Sequence, residues 1–289
     1  MKRISEKWLA LLLFLPMTIF SVIFGIYPLA YTVVLSFTPA VIGRPELVFA
    51  GFVNYATALT NSFFINSVVT TFIIAVSAVA VELVLGTGLA LLLNQRFQGM
   101  KLARIAFLLP MMTPPIVVGV IWKTLLFPQT GPFLTIFSWI GFNWPNLLAT
   151  IPGARAAVVL MDVWEYTPFV MLIILAGILN IPRQVTEAAQ MDGAQYLSTI
   201  RHITLPSIAP VMIVAVIFRL LTAAKMFDAV YVLTNGGPSY GTDVISLFVQ
   251  RTFVFDFQLS YASATSIMFM LVMFVLAFLL ARIMRRSMR

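Results

Sequence analysis

Six separate stretches of this chain are long and apolar enough to cross a bilayer, and together they take up more than half of it. A crossing helix needs about 20 apolar residues at ~1.5 Å rise each. The expected spans run over about 8–37, 63–93, 105–127, 156–180, 203–233 and 259–281. The first, Trp8 to Phe37, contains no charged residue. The second is interrupted only by Glu82, the fourth carries Asp162 and Glu165, and the fifth carries Arg219, Lys225 and Asp228. Across 289 residues, 61% are hydrophobic and 10% are charged. A soluble domain carries roughly 25% charged residues. One water-soluble core cannot absorb this much apolar surface, and the remainder would aggregate. The sequence therefore predicts an all-α polytopic membrane protein with six transmembrane helices, forming one membrane domain over 1–289.

Other classes fall away on residue counts. There is no cysteine, hence no disulfide framework, thiolate nucleophile or Cys-ligated metal. The sole histidine, His202, excludes a His-rich metal site, so no metal ligands are expected. The net charge of +8 does not point to nucleic acid, because the cations flank the apolar spans. Lys2, Arg3 and Lys7 precede span one, and Arg96, Lys101 and Arg104 follow span two. Arg183 and Arg201 follow span four, and Arg282, Arg285, Arg286 and Arg289 form the tail. Those 12 cations lie on one side, against Arg44, Arg155 and Arg251 on the other; Lys123, Arg219 and Lys225 sit within or at the ends of spans. The bias predicts that both termini are cytoplasmic. Span one is too long for a signal-peptide core and is read as a retained helix, kinked at Pro16 and Pro28. Trp139, Phe142 and Trp144, in a loop bracketed by Pro128, Pro145 and Pro152, suit a headgroup interface.

The segment 181–206 joins spans four and five. Pro182 stops the preceding span, and Thr186 and Glu187 favour a helix N-terminus. Ala188 and Ala189 are small helix formers, and Gly193 permits a sharp break. A short helix over Val185–Met191 is expected, with a flat alanine face open to a close-approaching partner. A second helical piece then leads into span five past Pro206.

Here the chain resembles a known family. Glu187-Ala188-Ala189, three residues, Gly193, nine residues, then Ile203-Thr204-Leu205-Pro206 matches without a gap the cytoplasmic loop of ABC-importer permeases. Asp192-Gly193-Ala194 resembles the carbohydrate-uptake branch. So does Phe227-Asp228 with Leu233-Thr234-Asn235-Gly236-Gly237-Pro238 and Thr242, in the manner of the larger maltose-transporter permease. Fainter echoes are Asn66, Gly88-Leu89-Ala90-Leu91, and Leu109-Pro110 with Trp122. One departure is that no Asn follows Gly131.

The resemblance implies a type I ABC-importer transmembrane domain that transports a sugar or sugar derivative and is not itself an enzyme. No Walker A pattern occurs, so ATP and Mg would sit on a separate ATPase, and this chain would bind no cofactor. The coupling residues by resemblance are Glu187, Ala188, Ala189, Asp192, Gly193, Ala194, Ile203, Leu205 and Pro206. Further implied partners are a second homologous permease, an ABC ATPase dimer, an extracytoplasmic sugar-binding protein and membrane lipid. The implied location is the cytoplasmic (inner) membrane of a bacterium or archaeon.

Ionisable groups at membrane depth cost ~2.5–3.5 kcal/mol or more, so they should face a wet cavity or a partner. Span four mixes Asp162, Trp164, Glu165, Tyr166 and Phe169. Aromatic faces stack on sugar C–H surfaces, and carboxylates accept from hydroxyls. In span five Arg219, Thr222, Ala223 and Met226 fall at i, i+3, i+4 and i+7, on one helical face. By resemblance, Glu165, Tyr166, Phe169, Arg219, Thr222 and Met226 fall at sugar-contact positions. Arg219 either binds an anionic group or pairs with Glu82, Asp162 or Glu165. Lys225 and Asp228 are read as a local i, i+3 pair. Glu82, near Gly86 and Gly88, is read as holding span packing, with Pro110, Pro114 and Pro115 kinking span three. A secondary transporter would need a coupling-ion site and usually an inverted repeat, and neither is visible. A membrane enzyme would have to build its chemistry from Asp162, Glu165 or His202.

Overall fold

A computed structural model of the chain describes residues 6–41, 48–95, 99–128, 130–141 and 146–287. Lys2, Arg3, Arg44, Arg96, Phe142, Trp144, Pro145 and Arg289 lie outside the described residues, as do the side chains of Lys7, Lys101, Arg285 and Arg286. The elements in chain order are α1 (Glu6–Ser21), α2 (Tyr27–Ser36), α3 (Val53–Thr60), α4 (Ser62–Asn94), α5 (Met100–Leu108), α6 (Pro115–Leu125) and α7 (Pro132–Trp139). They continue as α8 (Ile151–Leu179), α9 (Arg183–Met191), α10 (Tyr196–Thr199), α11 (Leu205–Ala223), α12 (Asp228–Leu233), α13 (Ile245–Val254) and α14 (Leu259–Ser287). Residues 1–65 with 249–271 form one compact unit, and residues 66–248 with 272–289 form a second.

In the first unit, α1 and α2 are joined by a π-helical stretch, Val22–Ile26. Pro28 has no N–H, and its ring crowds the carbonyl four residues back. The wider turn just upstream absorbs that conflict without breaking the rod. The most apolar window of Leu13–Ser36 buries none of its residues. The chain leaving α2 is fixed by polar side chains. Asn54 Nδ2 donates to the carbonyls of Ser36 (2.9 Å) and Thr38 (2.8 Å), and Thr38 Oγ1 lies 2.8 Å from Ser260 Oγ.

The second unit is organised around α8. Thr150 caps its start, accepting from the Gly153 amide at 3.2 Å. One half of α8 buries Ala157, Val158 and Met161 against Ile74 of α4, Val118 of α6 and Val230 of α12. The other half buries Val170, Met171 and Ile174 against Ala90 and Leu93 of α4 and Ile208 and Ala215 of α11. In lipid such contacts are held by packing rather than by exclusion of water. Close approach of α4 to α8 requires a small residue at Gly86, where an added Cβ would lie 2.8 Å from Val170 Cγ1 and 3.1 Å from the Met171 amide. The neighbouring Gly88 would meet nothing within 4 Å.

Five described helical stretches are long and apolar enough to cross a membrane: Leu13–Ser36, Ser62–Asn94, Ile151–Leu179, Tyr196–Ala223 and Leu259–Arg282. Residues 105–127 differ in being divided into α5, a 3₁₀ turn (Pro110–Met112) and α6. Pro110, Pro114 and Pro115 account for the break, since each lacks an amide hydrogen and Pro114 is extended (ψ 137°). The stretch 203–233 is also divided. Residue Phe227 (φ −142°, ψ −67°) leaves the helical region, and α12 restarts at Asp228.

Candidate functional site

The 181–206 segment folds as a short helix between two long ones. Pro182 precedes α9 and its carbonyl accepts from the Val185 amide at 3.1 Å. At the far end Gly193 takes φ +82°, and the Ala194 amide bonds back to the Ala189 carbonyl at 2.9 Å. That is a left-handed helix stop, which favours glycine for conformation alone, since nothing lies within 4 Å of an added Cβ. Glu187, Ala188, Asp192 and Gly193 are exposed, with Ala189 and Ala194 half-buried. Val185, Met191, Tyr196 and Leu197 are exposed apolar neighbours on α9 and α10. Ile203, in the π-helical stretch Ile200–Thr204, and Leu205 are half-buried, and Pro206 is exposed. His202 is exposed, with Nδ1 3.0 Å from the Ser198 carbonyl.

A polar cluster lies inside the unit, where the interiors of α4 and α8 meet the last turns of α11. Arg219 is 1% exposed. Its Nε and Nη2 donate to Glu82 Oε2 and Oε1 at 2.6 and 2.8 Å. Nη2 also donates to Asp162 Oδ2 at 2.7 Å, and Nη1 to Thr222 Oγ1 at 2.9 Å. The guanidinium carbon sits 4.0 Å from the centre of the Tyr166 ring, so a flat cation lies on an aromatic face. Of the two readings of Arg219, the pairing with carboxylates is the arrangement seen, and its partners are Glu82 and Asp162. Two carboxyl groups therefore hold one guanidinium, and Glu165, one turn from Asp162 on α8, is also buried.

The other residues expected on the path divide by exposure. Trp164 and Thr222 are exposed, Tyr166, Phe169 and Met226 are half-buried, and Ala223 is buried. Trp164 meets Trp122 edge to face, centroids 6.4 Å apart. Phe169 packs among the residues between α8 and α11. Met226 lies beyond the end of α11, so the helical face expected through it stops at Ala223. No ion pair joins Lys225 to Asp228, because the chain turns between them and Asp228 instead opens α12, where an acid suits the helix N-terminus.

The Thr234–Thr242 segment is a compact turn. Thr242 Oγ1 lies 2.7 Å from both Thr234 Oγ1 and the Gly237 carbonyl. Arg155, read as a loop cation, anchors this turn: its Nε donates to the Gly241 carbonyl at 2.7 Å and its Nη2 to Thr70 Oγ1 at 2.9 Å. Asn66 Nδ2 donates to the Tyr240 carbonyl at 2.9 Å. The sequence signal for this lock was the Thr/Gly/Pro-rich motif itself, and nothing marked Arg155 as its partner.

Residues 82–289 match the family described as "Binding-protein-dependent transport system inner membrane component". The chain is 37% identical over 245 residues to the trehalose/maltose transport system permease protein MalF of Thermococcus litoralis, covering 85% of this chain and 83% of that protein. It is 34% identical over 288 residues to the sulfoquinovosyl glycerol transport system permease protein SmoG of Agrobacterium fabrum, covering 99% and 92%. Among solved structures it resembles a chain of a bacterial ABC transporter involved in import of the acidic polysaccharide alginate, with TM-score 0.86, 26% identity, and coverage of 99% of this chain and 98% of that one. The alginate transporter in complex with an alginate-pentasaccharide-bound periplasmic protein gives TM-score 0.87 at 25% identity, covering 99% and 96%.

Proposed function

The chain belongs to the binding-protein-dependent transport system inner membrane component family, and from that premise we propose that it is the permease subunit of an ATP-driven importer for a sugar or sugar derivative. Relatives named for trehalose, maltose and sulfoquinovosyl glycerol support the carbohydrate class. The chain carries no nucleotide-binding motif, so ATP and Mg act on a separate ATPase dimer. A second homologous permease completes the pathway, and an extracytoplasmic binding protein delivers the substrate. The chain is a multi-pass protein of the inner membrane with both termini cytoplasmic, and residues 1–289 act as one permease domain.

The observation that carries the reading is the stopped, uncovered helix α9. Glu187, Ala188, Ala189, Asp192, Gly193 and Ala194 supply its docking face and turn, and Ile203, Leu205 and Pro206 lead the motion into α11. Movement of α9 by the closing ATPase dimer switches the permease between inward- and outward-facing states by rigid-body rotation. Trp164, Glu165, Tyr166, Phe169, Arg219, Thr222, Ala223 and Met226 line or support the path. Glu82, Asp162 and Thr222 together engage Nε, Nη1 and Nη2 of Arg219, which favours a neutral, hydroxyl-rich substrate over an anion.

Reconstitution tests this. Uptake into proteoliposomes should require ATP, the ATPase and the loaded binding protein. Uptake that persists without an ATPase subunit would overturn the reading.

A further inference from the structure

At the end of the second unit that carries α9, the chain shapes a cavity of about 560 Å³. It lies where four segments meet: Asn94 ends α4, Arg104 comes from α5, Ile178 and Leu179 end α8, and Arg183 and Thr186 open α9. Two guanidinium groups and no described carboxylate line it. Arg104 Nη2 donates to the Leu93 carbonyl at 3.0 Å, but its Nε is buried with no hydrogen-bond partner. Among the described residues no carboxylate compensates this guanidinium, so its charge favours an anion seated in the cavity beside it. The first turn of α9 adds the positive end of a helix dipole. The site is thus built for an anion.

Its size and walls narrow the anion. The volume falls in the range of organic ligand sites, roughly 300–1,000 Å³, well beyond a bare ion. Ile178 and exposed Leu179 are the last apolar residues of α8, so one wall is apolar and continuous with a membrane-spanning surface while the arginines stand beside it. That pairing of basic head and apolar flank matches a lipid at the bilayer boundary. We propose that this cavity binds the phosphate headgroup of a membrane phospholipid, held between Arg104 and Arg183. The lipid bridges α5 to α9, so the bilayer itself braces the helix that α8 and α11 share. The site stands whether or not the substrate is a sugar.

The test uses the full chain in its purified transporter, with phosphatidylglycerol in detergent as the probe and native mass spectrometry as the readout. The wild type should retain the lipid through delipidation. Arg104→Gln with Arg183→Gln should weaken retention by about tenfold or more, as expected for loss of charge-assisted bonds. Arg183 is exposed, so Arg183→Gln alone should keep the lipid-free unfolding temperature and still weaken retention. Millimolar inorganic phosphate should not displace the lipid. Equal retention by wild type and both variants, or displacement by inorganic phosphate, would overturn the proposal.

Discussion

Arg219 grips Glu82 through two parallel hydrogen bonds, 2.6 and 2.8 Å long, across 137 positions of sequence. Neither residue has meaningful exposure, so each neutralises the other where water cannot. Glu82→Ala should destabilise the folded chain by about 2 kcal/mol, between the ~1.7 kcal/mol ceiling measured for hydrogen bonds in a membrane protein and the ~3–5 kcal/mol of a broken buried pair, because Arg219 keeps Asp162 as a partner. Adding Arg219→Ala should deepen the loss, since Asp162 then has no cation, but by less than Arg219→Ala costs alone. Thermal unfolding of the purified single and double variants measures the coupling, and strict additivity would show that the fork contributes nothing.

Arg219→Ala alone separates the pairing role from a substrate role. With Glu82 and Asp162 left facing each other, the amount of folded protein in the membrane should fall whichever sugar is supplied. Normal protein levels with selective loss of one anionic compound would instead mark Arg219 as a ligand. Membrane fractionation run beside an uptake assay gives both readouts.

Glu187→Lys should leave the chain in the membrane at wild-type level, because Glu187 is exposed and bonded to nothing the fold needs. It should nonetheless abolish co-purification of the ATPase and transport. Normal uptake by this variant would refute docking through α9.

Gly86 and Gly88 differ by two positions and should differ in tolerance. An alanine at Gly86 drives its methyl into Val170, costing ~1–3 kcal/mol as overpacking does. At Gly88 the space is open, and alanine should be neutral or should gain up to ~1 kcal/mol of helix preference. Unfolding temperatures of the two variants decide it, and equal effects would contradict the tight approach of α4 to α8.

Among the aromatics expected on the path, Trp164 has the most open surface, at 39% exposure. If sugar stacks there, Trp164→Ala should raise the KM for uptake roughly 2- to 10-fold, the equivalent of ~0.5–1.5 kcal/mol, with folded protein unchanged. A variant with unaltered KM would remove Trp164 from the path.

What the sequence made legible was what lies close along the chain. The apolar runs, the prolines that divide 105–127 and the Gly193 stop each act within a few residues. Features that depend on distant partners were not readable. The Arg219–Glu82 pair was readable only as one option among Glu82, Asp162 and Glu165, because spacing along the chain does not choose between carboxylates on different helices. By sequence Arg155 is one of three outer cations, and only the fold of α8 brings it to Thr70 and Gly241. Lys225 and Asp228 erred the other way: the i, i+3 spacing assumed a continuous helix, and Phe227 breaks it.

The three-way contact of Glu82, Asp162 and Arg219 has a mechanical consequence. Asp162 lies 17 residues above the end of α8 and Arg219 14 residues above the start of α11, or ~25 and ~21 Å at 1.5 Å per residue. The two helices on either side of α9 are thus clasped at matching heights, with α4 as the third jaw. In the proposed coupling, a push on α9 would meet two helices tied together about 20–25 Å away, and would tilt them as one body rather than splay them.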